Sequence, residues 1–141
     1  PGEAAELARA GVEEEHGFLS WLGTRVETVE RGRVTLVVPY DEKLLNPTET
    51  VHGGVAATLV DTAGGLVQRL DAEDPVATGV ATVTLNVNYL RQATGDLRAT
   101  AEVVRSGNTV GVSDVEVTSR SPEDDEERLI ATGQPSYRIF R

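Results

Sequence analysis

The 141-residue sequence predicts an α+β fold, a curved antiparallel sheet wrapped around one long central helix. Three observations predict it: a helical pattern running from His52 to Leu70, a hairpin pattern before it, and a succession of β-branched runs after it. There is no internal repeat. A chain of 141 residues has room for one hydrophobic core and is short for two ordinary domains, so residues 1–141 are read as a single domain.

The elements follow in order. Residues 3 to 15 mix Ala, Leu, Glu and Arg, good helix formers, so residues 1–16 are expected to form an N-terminal helix packed on the body. Gly17 and the apolar cluster Phe18, Leu19, Trp21 and Leu22 come next. Thr24 to Glu30 and Arg33 to Val38 flank Arg31-Gly32 as a hairpin with a tight turn, and Pro39 stops the second strand. Asp41 to Thr50 is polar, contains Asn46-Pro47, and reads as the loop that delivers the chain to the central helix. Asp71 to Asp74 breaks that helix. Val76 to Arg91, Leu97 to Arg105, Thr109 to Ser119 and Arg128 to Phe140 then read as strands. The turns between them are Ala93-Thr94-Gly95-Asp96, Ser106-Gly107-Asn108 and the acidic Ser121 to Glu127.

Composition narrows the function. No cysteine is present, which excludes a disulfide framework, a thiolate metal site and a cysteine nucleophile, and two histidines, His16 and His52, leave little for zinc. No metal site is expected. A net charge of -10 argues against nucleic-acid binding, which needs a basic footprint. No window approaches the run of roughly 20 apolar residues that spans a membrane, and the stretch Pro1 to Leu7 lacks the basic start and apolar run of a secretory signal. A cytoplasmic protein is expected. Lys43 is the only lysine among 13 Lys and Arg residues, and Glu13-Glu14-Glu15 and Glu123-Asp124-Asp125-Glu126-Glu127 concentrate negative charge. This pattern resembles proteins of extreme halophiles; an arginine-favouring genome with ordinary acidic loops gives a similar composition.

The central helix carries the functional signal. At about 100° per residue, Val55, Leu59, Val60, Ala63, Leu66, Val67 and Leu70 fall on one arc with His52 and Ala56, and this arc is expected to meet the sheet. The opposite arc holds Gly54, Ala57, Thr58, Asp61, Gly64, Gly65, Gln68 and Arg69. A solvated face in so charged a protein would carry several Glu or Arg. A single carboxylate among small residues implies instead that a ligand or a second subunit comes close. In front of it, His52-Gly53-Gly54 places two glycines at the helix start, where backbone N–H groups lack intrahelical acceptors. At the positive end of the helix dipole such amides can bind a carbonyl oxygen as it gains charge.

Asn46, five residues, His52-Gly53-Gly54 and then Leu59-Val60-Asp61, followed by the strand from Thr82 to Tyr89, resembles the hot-dog thioesterases, in particular their PaaI-like (phenylacetate-degradation-type) branch. The resemblance covers Phe18 to Phe140. It implies hydrolysis of acyl-CoA thioesters with no metal or redox cofactor, CoA entering only as part of the substrate. It also implies a site between two subunits, with a homodimer as the catalytic unit and a homotetramer as the assembly. In that reading the Gly53 amide, with Gly54 beside it, polarises the carbonyl, and Asn46 and His52 hold the loop and the attacking water. Asp61 of the partner's helix is general base or nucleophile. Thr82 stands where relatives carry a hydroxyl that places the nucleophile. By strand parity, however, it lies opposite Val83, Leu85 and Val87, which are expected to face the core. For CoA the resemblance implies Arg91 and the turn Ser106, Gly107 and Asn108, with Arg105 as a second cation; Asn108 is neutral where many relatives are basic.

Two other readings stand beside hydrolysis. Hot-dog folds also serve as acyl-CoA hydratases or dehydratases, and as non-catalytic acyl-CoA-binding domains. An intact Asp61 nine residues after His52 favours the hydrolase.

Overall fold

The computed structural model describes residues 2–14 and 17–141. Helix α1 (Gly2–Arg9) runs into a wider π-type turn (Ala10–Glu14), and a short helix α2 (Phe18–Leu22) follows. The expected N-terminal helix is therefore interrupted, and its end at Glu15 and His16 lies outside the described residues. The body consists of β1 (Arg25–Glu30), β2 (Arg33–Val38), a 3₁₀ turn (Glu42–Leu44), α3 (Gly53–Asp71), β3 (Gly79–Thr84), β4 (Asn88–Tyr89), β5 (Asp96–Ser106), β6 (Val110–Arg120), β7 (Glu127–Gly133) and β8 (Ser136–Phe140). All eight strands join one sheet in the order β1-β2-β5-β6-β7-β4, with β8 pairing β6 and β3. Every pairing is antiparallel. One long helix against a wrapped antiparallel sheet is the hot-dog arrangement.

Two runs that the sequence presents as continuous strands are broken, and the breaks face each other. Arg128 to Phe140 divides at Gln134-Pro135, because proline has no N–H to donate to a ladder. The long strand β6 then pairs with β8 through Val110–Val112 and with β7 through Val115–Arg120. Val76 to Arg91 divides between β3 and β4. There the Asn86 side chain replaces the ladder, donating to Gln134 O at 2.9 Å and accepting from Gln134 N at 3.0 Å.

The core forms one apolar cluster that includes Val34, Leu36, Leu59, Val60, Val67, Leu97, Val115 and Val117. Each Leu or Val removed from water in this way contributes about 1.5–3 kcal/mol. Helix α3 buries Val55, Ala56, Leu59, Val60, Ala63 and Val67 as its periodicity predicts, while Leu66 and Leu70 are half-buried.

The opposite arc of α3 departs from expectation. Gly64, Gly65 and Gln68 are buried by the chain itself, so these two glycines need no ligand or second subunit, whereas Gly54, Ala57, Thr58 and Asp61 keep exposed surface. A Cβ on Gly64 would lie 2.4 Å from the Tyr137 hydroxyl and 2.8 Å from Pro135 Cγ, and one on Gly65 3.1 Å from the Tyr137 ring. Gln68 donates to Val112 O at 2.9 Å and to Ser113 Oγ at 3.0 Å, and Ser113 in turn donates to Gly64 O at 2.8 Å. The glycines are thus seats for β8. Alanine normally stabilises a helix over glycine by about 1 kcal/mol. At position 64 the clash reverses the sign, and Gly64→Ala is expected to destabilise the fold by about 1–3 kcal/mol, read as a lower denaturant midpoint with unchanged slope.

Strand β3 also corrects the sequence reading. Val83 and Leu85 are 60% and 45% exposed rather than core-facing. The inward positions are Val80, which meets Gly65, and Thr82, which meets α3. A bulge between Thr82 and Thr84 goes with this register. As the far edge of the sheet, β3 and β4 leave Val83, Leu85, Tyr89 and Leu90 exposed, an apolar row beside unpaired backbone groups.

Candidate active site

The loop before α3 is built around Asn46. Its Oδ1 accepts from the N–H groups of Thr48 and Thr50 at 3.1 and 3.2 Å, and from their hydroxyls at 2.6 and 3.2 Å. Four donors on one oxygen close the loop as an Asx-type turn, so this carbonyl is engaged and the Nδ2 donors are what Asn46 can offer a ligand. Bonds from Asn46 N to Thr50 O at 2.9 Å and from His52 N to Leu44 O at 2.8 Å complete the pinch.

His52 is therefore delivered to the N-cap of α3. Its Nδ1 accepts from Gly54 N at 2.8 Å. The residue is exposed and caps the helix, instead of sharing the buried arc on which the wheel places it. The bond also changes the reading of the two glycines. The Gly54 amide is occupied, whereas the Gly53 N–H has no acceptor among the described residues. One outward amide stands at the positive end of a 19-residue helix.

Asp61 lies two turns further along. Thr82 Oγ1 donates to Asp61 Oδ1 at 2.6 Å, and Tyr137 Oη donates to the Asp61 backbone carbonyl at 2.7 Å. Burial, with the Asp61 carboxylate beside it, pushes the Tyr137 phenol well above its usual range, so it remains a donor. The half-buried carboxylate is held through Oδ1, and among the described residues the other oxygen accepts no hydrogen bond. The Tyr137 contact is not visible in the sequence as a motif; the one signal for Tyr137 is its alternation with Ile139 in the last strand.

The two groups do not share a cavity. Asn46, His52, Gly53, Tyr89 and Arg91 border a space of about 320 Å³, while Asp61, Thr82, Leu7, Val12 and Leu19 border another of about 220 Å³. Eight residues of helix separate Gly53 from Asp61 by about 12 Å, too far for both to act on one carbonyl. The cations divide similarly. Arg91 lies beside Gly53, whereas Ser106, Gly107 and Asn108 sit at the opposite end of β5, roughly 30 Å away at about 3.3 Å per residue. There the Asn108 and Gly107 carbonyls accept from Arg141. One copy of the chain therefore keeps Gly53 and Asp61 apart, with Arg91 on the Gly53 side and the Ser106-Gly107-Asn108 turn at the far end of β5.

The family model of the thioesterase superfamily matches residues 48–125, the stretch that holds this helix and Thr82. The chain belongs to the thioesterase superfamily. Among relatives of this thioesterase-superfamily chain, a protein of Halobacterium salinarum provisionally named an esterase is 51% identical over 99% of the chain and 94% of its own length. Human acyl-coenzyme A thioesterase 13 is 31% identical over 73% of the chain and 70% of its own length. A thioesterase family protein from Silicibacter pomeroyi superposes with a TM-score of 0.86 at 28% identity, covering 99% of this chain and 97% of that one. The Escherichia coli PaaI protein from the phenylacetic acid degradation operon shares the fold, with a TM-score of 0.80 at 19% identity over 99% and 95% of the two chains. Among the described residues, no helix is long and apolar enough to cross a membrane.

Proposed function

We propose that residues 1–141 act as one domain hydrolysing acyl-CoA to the free acid and CoA, in a site completed by a second copy of the chain. The carrying observation is the pair of half-sites: a Gly53 amide at a helix N-terminus with no acceptor among the described residues, and a carboxylate aimed by Thr82 but about 12 Å away along the same helix. A thioester carbonyl seated on Gly53 of one copy meets Asp61 of the other. The amide stabilises the oxygen as it becomes negative. Asp61 takes the proton of an attacking water or attacks the carbonyl carbon itself; collapse of the intermediate breaks the C–S bond and releases CoA, and water supplies the second oxygen of the acid. Asn46 and His52 hold the loop and the amide. No metal or redox group takes part. Arg91 binds CoA phosphate on the Gly53 side, and the Ser106-Gly107-Asn108 turn serves the second copy.

The exposed edge of β3 and β4 supports the dimer, since pairing it would satisfy backbone groups and cover Val83, Leu85 and Leu90. A tetramer of two such dimers is the proposed assembly. The acidic, arginine-dominated composition fits a salt-rich cytoplasm. A hydratase or dehydratase would use His52 as its acid–base group. Here Nδ1 of His52 accepts from the Gly54 amide, so the neutral ring carries its proton on Nε2 and offers no free lone pair to act as base, which supports the hydrolase instead.

A thiol-release assay over aryl, short, medium and long acyl-CoAs in high salt is expected to show turnover; no thiol release from any of them would defeat the proposal. Thr82→Val is expected to lower kcat roughly ten- to a hundredfold, the range for one hydrogen bond to a charged group, with Thr82→Ser close to the unaltered enzyme.

A further inference from the structure

Two adjacent glycines at a helix start leave the peptide that should present the Gly53 N–H poorly restrained, because glycine has more accessible backbone conformations than any other residue. The structure restrains both peptides that flank Gly53. The peptide between His52 and Gly53 is held by its carbonyl, which accepts from Val55 N at 3.0 Å. The peptide between Gly53 and Gly54 is held at both ends: its N–H donates to His52 Nδ1 at 2.8 Å, and its carbonyl accepts from Tyr89 Oη at 2.6 Å. The hydroxyl end of the Tyr89 ring also lies against Gly53, where a Cβ would come within 3.2 Å of Tyr89 Cε1. Tyr89 is 54% exposed and is drawn from β4, the two-residue strand that follows the Asn86 break. An exposed aromatic with its hydroxyl turned back onto a helix carbonyl is doing something other than filling core.

The geometry points to Tyr89 as the positioning residue of the oxyanion amide: through its hydroxyl and ring it fixes the Gly53-Gly54 peptide, and with it the direction of the Gly53 N–H. This rests on the thioesterase reading above and adds a residue that the Asn46, His52-Gly53-Gly54 and Asp61 pattern does not contain. The role divides between the two parts of the side chain. The hydroxyl sets the orientation of the peptide, and the ring blocks its alternatives, which explains why a residue without a side chain stands at position 53.

Tyr89→Phe keeps the ring and removes only the hydroxyl. It is expected to lower kcat about tenfold, the worth of one net hydrogen bond, with KM within about twofold and the melting temperature lowered by no more than about 5 °C. The Gly53 amide resonance, followed by ¹⁵N NMR in the unliganded protein, is expected to shift or broaden in the same variant. Tyr89→Leu, lacking ring and hydroxyl, is expected to lose more kcat than Tyr89→Phe. An unchanged kcat in Tyr89→Phe, a rise in KM alone, or an unmoved Gly53 resonance would each overturn the role. Failure of the unaltered protein to hydrolyse any acyl-CoA would defeat the thioesterase reading instead, and the amide resonance would still report whether Tyr89 orients Gly53.

Discussion

Asp61→Asn is expected to reduce thioester hydrolysis at least about a thousandfold while leaving folding and assembly intact. The substitution is nearly isosteric, and the Asn oxygen can still accept from Thr82 Oγ1, which lies 2.6 Å from Asp61 Oδ1. The Tyr137 bond goes to the backbone carbonyl and is indifferent to the side chain. What is lost is the negative charge and the capacity to take a proton or form an acyl link. The loss should therefore fall on kcat, with unchanged circular dichroism and an unchanged elution volume. Turnover within tenfold of the unaltered enzyme in a thiol-release assay would remove Asp61 from the chemistry.

Gly53→Pro is the complementary change at the other half-site, with an expected loss of about 10²–10³ in kcat, the measured scale for deleting one oxyanion donor. Proline deletes the N–H and nothing else of the amide. It is well tolerated at the first position of a helix, where that N–H has no intrahelical acceptor in any case. It also asks its predecessor for an extended backbone, and His52 already has φ -57° and ψ 134°. The proline ring meets Tyr89, which is exposed enough to yield. Fold and assembly are thus expected to survive. An active Gly53→Pro enzyme would show that the Gly53 amide does not hold the carbonyl.

How far these groups were legible in the sequence depends on the range of the forces that place them. Helix α3, the β1–β2 hairpin and the strands β5 and β6 are set by local periodicity and turn residues, and they stand where the sequence puts them. The Gly53 amide and the Asx-closed loop at Asn46 are equally local, spanning nine residues of chain. Contacts made across the sheet were not legible. Gly64 and Gly65 resemble an open ligand face until Tyr137, more than seventy residues later, is seen to fill it. Thr82 follows the polar half of an alternating run, and that parity inverts because β3 is an edge strand whose outer side is left uncovered within the chain. Gln134-Pro135 signals its own break, but its partner Asn86 has no local reason to end a strand. Tyr89 was missed for the same cause. Its hydroxyl reaches a carbonyl thirty-six residues away.

The central claim is that each reaction centre takes Gly53 from one copy and Asp61 from another, and subunit complementation tests it most directly. Gly53→Pro and Asp61→Asn chains, each inactive alone, are mixed, dissociated and reassembled, and thiol release is followed alongside native mass spectrometry to count mixed dimers. In a mixed dimer, one site pairs the intact Gly53 of the Asp61→Asn chain with the intact Asp61 of the Gly53→Pro chain. With random reassortment of a two-fold dimer, activity is expected to return to about a quarter of the unaltered level per chain. Mixed dimers present at the expected abundance but without activity would contradict a site shared between copies.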